Sequence, residues 1–301
     1  AVGYWAEEVA SLLKAGAVGG GGSNARPRIC IISAYPDGLV PYERSDISKG
    51  CLRPTATHSR DWQAWGNKTF PFTSSGNDRE ARTARWYRDN GVTVLSWCEC
   101  YEVDVASATL KLYQYSERVR TPAKAKQVEV VYGSLLIATG SSPRRLDGDT
   151  EGQSPCFCRR HPDLKGARLE KPDRYGLGSA HYLRDMGDCI KLTKALGTLP
   201  AGGGTGAGGA ASVGGDANTV ILVGGGLLCV EVAAAIVTHY PGVRPVILMD
   251  GARLLHDFFD AELSRFYESK LAAAGVTIVR YVVVERLWGL EEQVWKIDFS
   301  E

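Results

Sequence analysis

Three consecutive glycines, Gly224, Gly225 and Gly226, follow the apolar run Val220, Ile221, Leu222, Val223 and precede Leu227, Leu228, Cys229, Val230 and Glu231. These residue types suit the binding of a pyrophosphate. Bare amides at the start of a helix attract anions, and glycine admits a phosphate where a Cβ would block it. In the pattern G-x-G-x-x-G, Gly224 and Gly226 take the first two glycine positions and Cys229 the third. Cysteine is small, so helix and strand can still pack closely. Asp250 ends a second apolar run, residues 246–249, where a carboxylate can hold the ribose hydroxyls of NAD. Arg253, three residues further on, leaves the use of NADPH open. A core strand with a glycine turn and no ligand is the plainer alternative, but it leaves the terminal carboxylate unexplained.

The elements that must position this motif are legible around it. A continuous apolar run marks a buried parallel strand, and the alanine-rich stretch 230–237 is good helix material. Further strands are expected at 28–33, 92–97, 101–104, 109–113, 128–131 and 134–139, with a short strand and a helix across 178–196. Helices are expected at 4–15, 78–90 and 261–274. The glycine run 19–23 reads as a linker, and 201–215, almost pure Gly, Ala and Ser, as a disordered insert. A short internal repeat is visible. Trp86-Tyr87 leads to Gly91 and the run from Val92 to Leu95, as Phe266-Tyr267 leads to Gly275 and the run from Val276 to Val279. Two related halves imply two dinucleotide-binding domains of one fold.

The chain has 301 residues, 44% hydrophobic and 23% charged, with a net charge of +1. That balance gives no reason to expect a nucleic-acid partner or an anionic membrane surface. Residues 219–237 are apolar enough to resemble a membrane span, but three glycines and Glu231 argue against one. Eight cysteines are scattered. The pairs Cys98/Cys100 and Cys156/Cys158 lack the usual C-x-x-C spacing of a zinc site. Reduced structural thiols in a cytoplasmic or organellar setting are the expectation, with no metal and no dithiol mechanism.

Three segments together resemble the FAD- and NAD-dependent pyridine nucleotide oxidoreductases. They are Pro41-Tyr42-Glu43-Arg44 with Ser48-Lys49-Gly50, Ile137-Ala138-Thr139-Gly140, and Val223-Gly224-Gly225-Gly226. Within that family, the first segment and Phe266-Tyr267-Glu268-Ser269 are most similar to the monodehydroascorbate reductases. The resemblance implies an α/β fold of two Rossmann-like domains, each three-layered. Residues 1–160 would form the FAD domain, lacking its first strand and glycine loop, and 161–301 the NAD(H) domain. It also implies hydride transfer from NADH to FAD, then one-electron reduction of the ascorbate radical.

By the same resemblance, Lys49 is the catalytic candidate. Arg44, Lys49, Cys100, Thr139, Gly140 and Arg184 would contact FAD. Gly224, Gly225, Gly226, Leu227, Leu228 and Cys229 would hold the NADH pyrophosphate, Glu231 would lie near the nicotinamide, and Asp250 would hold the ribose. Tyr35 stands where the family carries its first acidic ribose ligand, with Asp37 as a substitute. Two other readings stay open. One is a reductase of a ferredoxin- or rubredoxin-type electron-acceptor protein, docking on Arg144, Arg145, Arg159 and Arg160. The other is a truncated, non-enzymatic dinucleotide-binding module.

Overall fold

The computed structural model describes residues 28–35, 41, 44–53, 82–116, 121–141, 143, 180–199, 218–290 and 293–300. The expected helix at 4–15, the linker at 19–23, the insert at 201–215 and Cys156/Cys158 lie outside them, as do Asp37 and the four arginines. The chain divides into two compact units. One comprises Ala1–Glu43 and Ser59–Ser141; the other comprises Arg44–His58 and Ser142–Glu301.

In the first unit, β1 (Ile29–Ile32) and β2 (Val92–Leu95) pair in parallel. Helix α1 (Ala84–Asp89) starts at Thr83, whose side chain accepts from the Trp86 amide and so caps the first turn. It buries Tyr87 against Ile29, Ile31 and Val92. An antiparallel sheet of β3 (Cys98–Asp104), β4 (Thr109–Gln114) and β5 (Lys126–Val131) follows. Its inner residues Cys98, Leu110 and Leu112 pack on Ile32 and Leu95. Helix, parallel strands and antiparallel sheet thus form three layers.

A bulge between Cys100 and Glu102 puts Tyr101 on the outer face, stacked on Tyr113 at 4.2 Å between ring centroids. The strand expected at 134–139 is not formed. Residues 135–140 run as irregular backbone, with Leu136 and Ile137 exposed. Among the described residues no strand pairs with this segment, and an apolar run needs a ladder partner to become a strand.

The second unit repeats that order. Strands β6 (Thr219–Val223), β7 (Arg244–Leu248) and β8 (Thr277–Val279) form a parallel sheet in sequence order. Leu222, Ile247 and Ile278 stand in one row across it. They pack with Val230 and Ala233 of α3 (Leu227–His239) and Leu271 of α4 (Ala261–Ala273). An antiparallel pair, β9 (Val283–Leu290) and β10 (Gln293–Ser300), then follows; the sequence reading did not assign it. Gly91 (φ 74°) and Gly275 (φ 93°) hold the same left-handed position after α1 and α4. That position stops each helix and feeds the next parallel strand.

Helix α2 (Met186–Gly197) completes this unit. Asp185 and Asp188 form a capping box at its start, which satisfies two donors that the helix leaves open. Of the short strand expected just before it, the described residues 180–183 are irregular. The three-residue turn Gly50–Leu52 packs against α2 and α3. Helix α3 is therefore buried on two sides. Val230 and Ala233 face the sheet, while Val232, Ala235 and Ile236 are also buried. Two-sided burial explains why this helix is apolar all round. No helix among the described residues is long and apolar enough to cross a membrane.

Candidate functional site

Each of the three glycines after β6 plays a different part. Gly224 has φ 118°, a conformation that side chains rarely adopt, and its amide donates to the Leu248 carbonyl at 2.8 Å. The turn therefore leaves the strand sharply while staying tied to β7. At Gly225 an added Cβ would lie 2.9 Å from Met249 Cε and 3.4 Å from Met249 Cβ. Met249 is buried, and the Leu255 amide donates to the Gly225 carbonyl at 2.8 Å. Gly225 is thus the packing glycine.

Gly226 is the N-cap of α3, in extended backbone with φ −84°. A Cβ there would meet nothing within 4 Å. The space in front of α3 is open, and Leu227 and Leu228 flank it with their side chains partly exposed. The amides of the first helical turn have no partner within the helix, so the fixed positive end of α3 faces that space. Such a space can accept an anion. Cys229 turns inward and donates its thiol to the Val223 carbonyl at 3.3 Å. Burial pushes that thiol up to about 11, so it stays protonated and packs as a small apolar group. Asp250 stands exposed in the turn after β7. Arg253 lies nearby in sequence, but its Nη2 donates to the Phe259 carbonyl at 3.4 Å.

One turn along α3 from Gly226, Glu231 holds two residues of the segment 44–53. Its Oε1 pairs with Lys49 Nζ at 3.0 Å, and its Oε2 accepts from Ser48 Oγ at 2.5 Å. Lys49 Nζ also donates to the Ser45 carbonyl at 3.1 Å. The Lys49 side chain is about half exposed, at 47%, against 17% for that of Glu231. Lys49 is thus a steered cation with one side open. Ser48 is buried; the sequence reading quoted it within the Ser48-Lys49-Gly50 segment but gave it no role. Its partner lies 183 residues away, so no local signal could have assigned that role.

Leu52, three residues after Lys49, is fully buried, and its carbonyl accepts from Tyr240 Oη at 2.8 Å. That bond, together with the packing of Cys51 and Leu52, fixes the backbone that carries Lys49.

The remaining candidates divide between the units. Arg44 is exposed in the one-turn helix Arg44–Asp46 of the second unit. Arg184 precedes α2 there, its amide donating to Asp188 at 2.9 Å. Cys100, Thr139 and Gly140 belong to the first unit, and all three are exposed. The Cys100 thiol donates to the Glu102 carbonyl at 3.4 Å. Gly140 has φ 76° and turns the chain after Thr139. Tyr35 is half-buried, its amide donating to Ser33 Oγ at 3.2 Å. The second unit therefore brings together Ser48, Lys49, Glu231 and the glycine turn. Among the described residues no group of His, Cys, Asp or Glu could hold a metal ion.

Known proteins share this architecture. The chain is 25% identical over 267 residues to a peroxisomal monodehydroascorbate reductase of Oryza sativa subsp. japonica, covering 87% of this chain and 42% of the relative. It is 26% identical over 260 residues to a chloroplastic/mitochondrial monodehydroascorbate reductase of Arabidopsis thaliana, covering 86% of this chain and 40% of the relative. The chain thus spans about two-fifths of the length of these curated relatives.

Among solved structures, a ferredoxin reductase from Rhodopseudomonas palustris superposes with a TM-score of 0.58 at 14% identity, over 98% of this chain and 52% of that one. A water-forming NADH oxidase from Lactobacillus brevis superposes with a TM-score of 0.56 at 13% identity, over 97% of this chain and 50% of that one. The family profile described as pyridine nucleotide-disulphide oxidoreductase matches residues 27–298. With nearly the whole length matched, and with the glycine turn between parallel strands in place, the chain belongs to the pyridine nucleotide-disulphide oxidoreductase family.

Proposed function

We propose that this chain serves NADH-dependent, FAD-mediated one-electron reduction of the monodehydroascorbate radical to ascorbate. The observation that carries the reading is the open space at Gly226, in front of the α3 amides, with the Glu231–Lys49 pair one turn further along the same helix. The open glycine turn and exposed Asp250 suit a pyridine dinucleotide. Gly224, Gly225, Gly226, Leu227, Leu228 and Cys229 would hold the NADH pyrophosphate through backbone amides, and Asp250 would accept from the ribose hydroxyls. Of the FAD candidates, the second unit carries Arg44, Lys49 and Arg184, of which Lys49 is the one whose charge is held in place.

Bound NADH and FAD supply the hydride and single-electron chemistry, and the protein's part is orientation and electrostatics. Lys49 offers a preorganised positive charge to the negative charge that reduction creates. Glu231 and the Ser45 carbonyl keep that ammonium in one place, so little ordering is left for the reaction itself. Ser48 holds the carboxylate in turn. The exposed Asp250 carboxylate would accept from ribose hydroxyls and repel a 2′-phosphate, which favours NADH over NADPH.

The relatives' names carry the choice of acceptor. The test is the visible spectrum of the purified protein, followed by turnover with NADH and enzymatically generated ascorbate radical. A flavin spectrum with radical-dependent NADH oxidation supports the proposal. A flavin spectrum with turnover on a ferredoxin and none on the radical replaces it with the electron-carrier reading. Nucleotide binding without flavin leaves the dinucleotide-binding module.

A further inference from the structure

A carboxylate on α4 ties the glycine turn to the chain that follows β7. The Glu268 side chain is only 12% exposed, and both of its oxygens are used. Oε1 accepts from the Leu254 amide at 2.8 Å, and Oε2 accepts from Arg280 Nη2 at 2.8 Å. The next amide, that of Leu255, donates to the Gly225 carbonyl at 2.8 Å. Leu255 stands at φ 58°, where a leucine stays only if its surroundings hold it. Leu254 and Leu255 are both fully buried, so a Leu254 amide without an acceptor would be costly.

We propose that Glu268 is a positioning residue of the nucleotide site, a role that rests on the NADH binding proposed above. By holding the Leu254 amide, Glu268 keeps Leu255 on the Gly225 carbonyl and so aims the Gly226 amide at the pyrophosphate. The peptide that joins Gly225 to Gly226 is planar and trans, so its carbonyl and its N–H point in opposite directions. With the carbonyl tied to Leu255, the Gly226 N–H is turned away from the 254–255 backbone. Among the described residues it donates to no backbone carbonyl, and a Cβ on Gly226 would meet nothing within 4 Å. An amide fixed in this way offers its hydrogen bond to an anion without first having to be ordered.

The neighbouring backbone is fixed independently, so the effect of Glu268 is confined to this peptide. At the start of the same loop, the Met249 amide donates to the Val279 carbonyl at 3.0 Å, and the Met249 carbonyl accepts from the Val282 amide at 2.8 Å. Asp250 therefore keeps its place when Glu268 is lost. On the other side, the Gly224 amide is held by the Leu248 carbonyl at 2.8 Å. The pair with Arg280 has a lesser part. The Arg280 side chain is 37% exposed, so its guanidinium can turn to water, and the pair orients the carboxylate that carries the tie.

The experiment titrates the full chain with NADH and with ADP-ribose by calorimetry, in the parent and in Glu268→Ala, Glu268→Leu and Glu268→Gln. Alanine and leucine offer the Leu254 amide no acceptor, and leucine also fills the space; the glutamine amide oxygen still accepts. Both ligands should bind about ten-fold more weakly to the alanine and leucine variants, and within about two-fold of the parent to Glu268→Gln. ADP-ribose carries the pyrophosphate without the nicotinamide, so equal losses for the two ligands assign the effect to the glycine turn. In the ligand-free protein, the Leu255 amide should exchange about ten-fold faster in Glu268→Ala, while the Gly224 amide exchanges at the parent's rate. Unchanged affinity in the alanine and leucine variants overturns the proposal. So does an equal loss in Glu268→Gln, or exchange at Leu255 and Gly224 that speeds up together. A parent that binds neither ligand removes the nucleotide reading, and the positioning role with it.

Discussion

Replacing Gly226 by alanine separates binding from folding more cleanly than any other change in the glycine turn. A methyl at this position meets no atom within 4 Å, and φ −84° suits any residue. The folding cost is then the loss of a good N-cap only, because alanine caps poorly where glycine does not. That amounts to about 0.5–1 kcal/mol. The same methyl projects into the space that the α3 amides face. A pyrophosphate pushed outward loses at least one hydrogen bond to a charged group, about 1.5–3 kcal/mol. Affinity for NADH should therefore fall roughly ten- to hundred-fold.

Gly225→Ala is the contrasting control. Its methyl would meet Met249 Cε at 2.9 Å inside the core, so it should destabilise by about 1–3 kcal/mol through overpacking. Nucleotide titration by calorimetry and urea unfolding are measured on both variants. The assignment of the cradle fails if Gly226→Ala binds NADH as tightly as the parent. It fails equally if Gly226→Ala unfolds as easily as Gly225→Ala, since the space would then not be open.

Four further outcomes follow from the geometry. Lys49→Met should slow flavin reduction by NADH about ten-fold, or about 1.4 kcal/mol, with NADH affinity nearly unchanged; stopped-flow on FAD-loaded protein reads it, and an unchanged rate removes Lys49 from the site. The parent should bind NADH more tightly than NADPH, and Asp250→Ser should narrow the gap, whereas equal binding by the parent would shift the weight to Arg253. Cys229, held at about 11 by burial, keeps its proton when an unfolded cysteine has already lost it. Its contribution to stability is therefore present below about pH 9 and lost as pH rises through 11, and at pH 8.5 iodoacetamide should label it more slowly than the exposed Cys100. Gly91→Ala and Gly275→Ala should each cost about 1–2 kcal/mol, because each forces a left-handed alanine while its Cβ meets nothing within 4 Å; a cost at one and none at the other would refute their equivalence.

The glycine turn was legible because its information is local. Apolar strand, three glycines, alanine-rich helix and terminal Asp250 lie within some thirty residues, and periodicity and backbone chemistry suffice to read them. The helix stops at Gly91 and Gly275 were legible for the same reason. The strand expected at 134–139 was not, because an apolar run becomes a strand only when a neighbour supplies the ladder. Residues Leu135, Leu136 and Ile137 instead stay exposed. Helix α2 was legible as a helix, but the strand expected before it gave way to the extended approach to the Asp185 cap. The partner of Glu231 was invisible from any window. The segment carrying Ser48 and Lys49 was legible by resemblance, but its pairing with Glu231, across 183 positions from Ser48, was not.

That long-range pairing shows why the segment 44–53 packs with the second unit although the chain around it, on both sides, belongs to the first. Ile47, Cys51 and Leu52 are buried, so the segment needs an apolar surface. Within the second unit, α3 provides one because it is apolar on the face turned away from its sheet. Val232, Ala235 and Ile236 are buried there, and Tyr240 reaches the Leu52 carbonyl at 2.8 Å. The same helix begins at the candidate anion cradle and carries Glu231 in its second turn. Its N-terminus, its carboxylate and its second apolar face thus fix three things at once: where a phosphate would bind, where the Lys49 ammonium stands, and which backbone holds that lysine. A helix buried on one side only could have made the cradle, but it would have left Lys49 on a loose loop. The two-sided apolar sequence of α3, which at first resembles a membrane span, is what makes the site rigid.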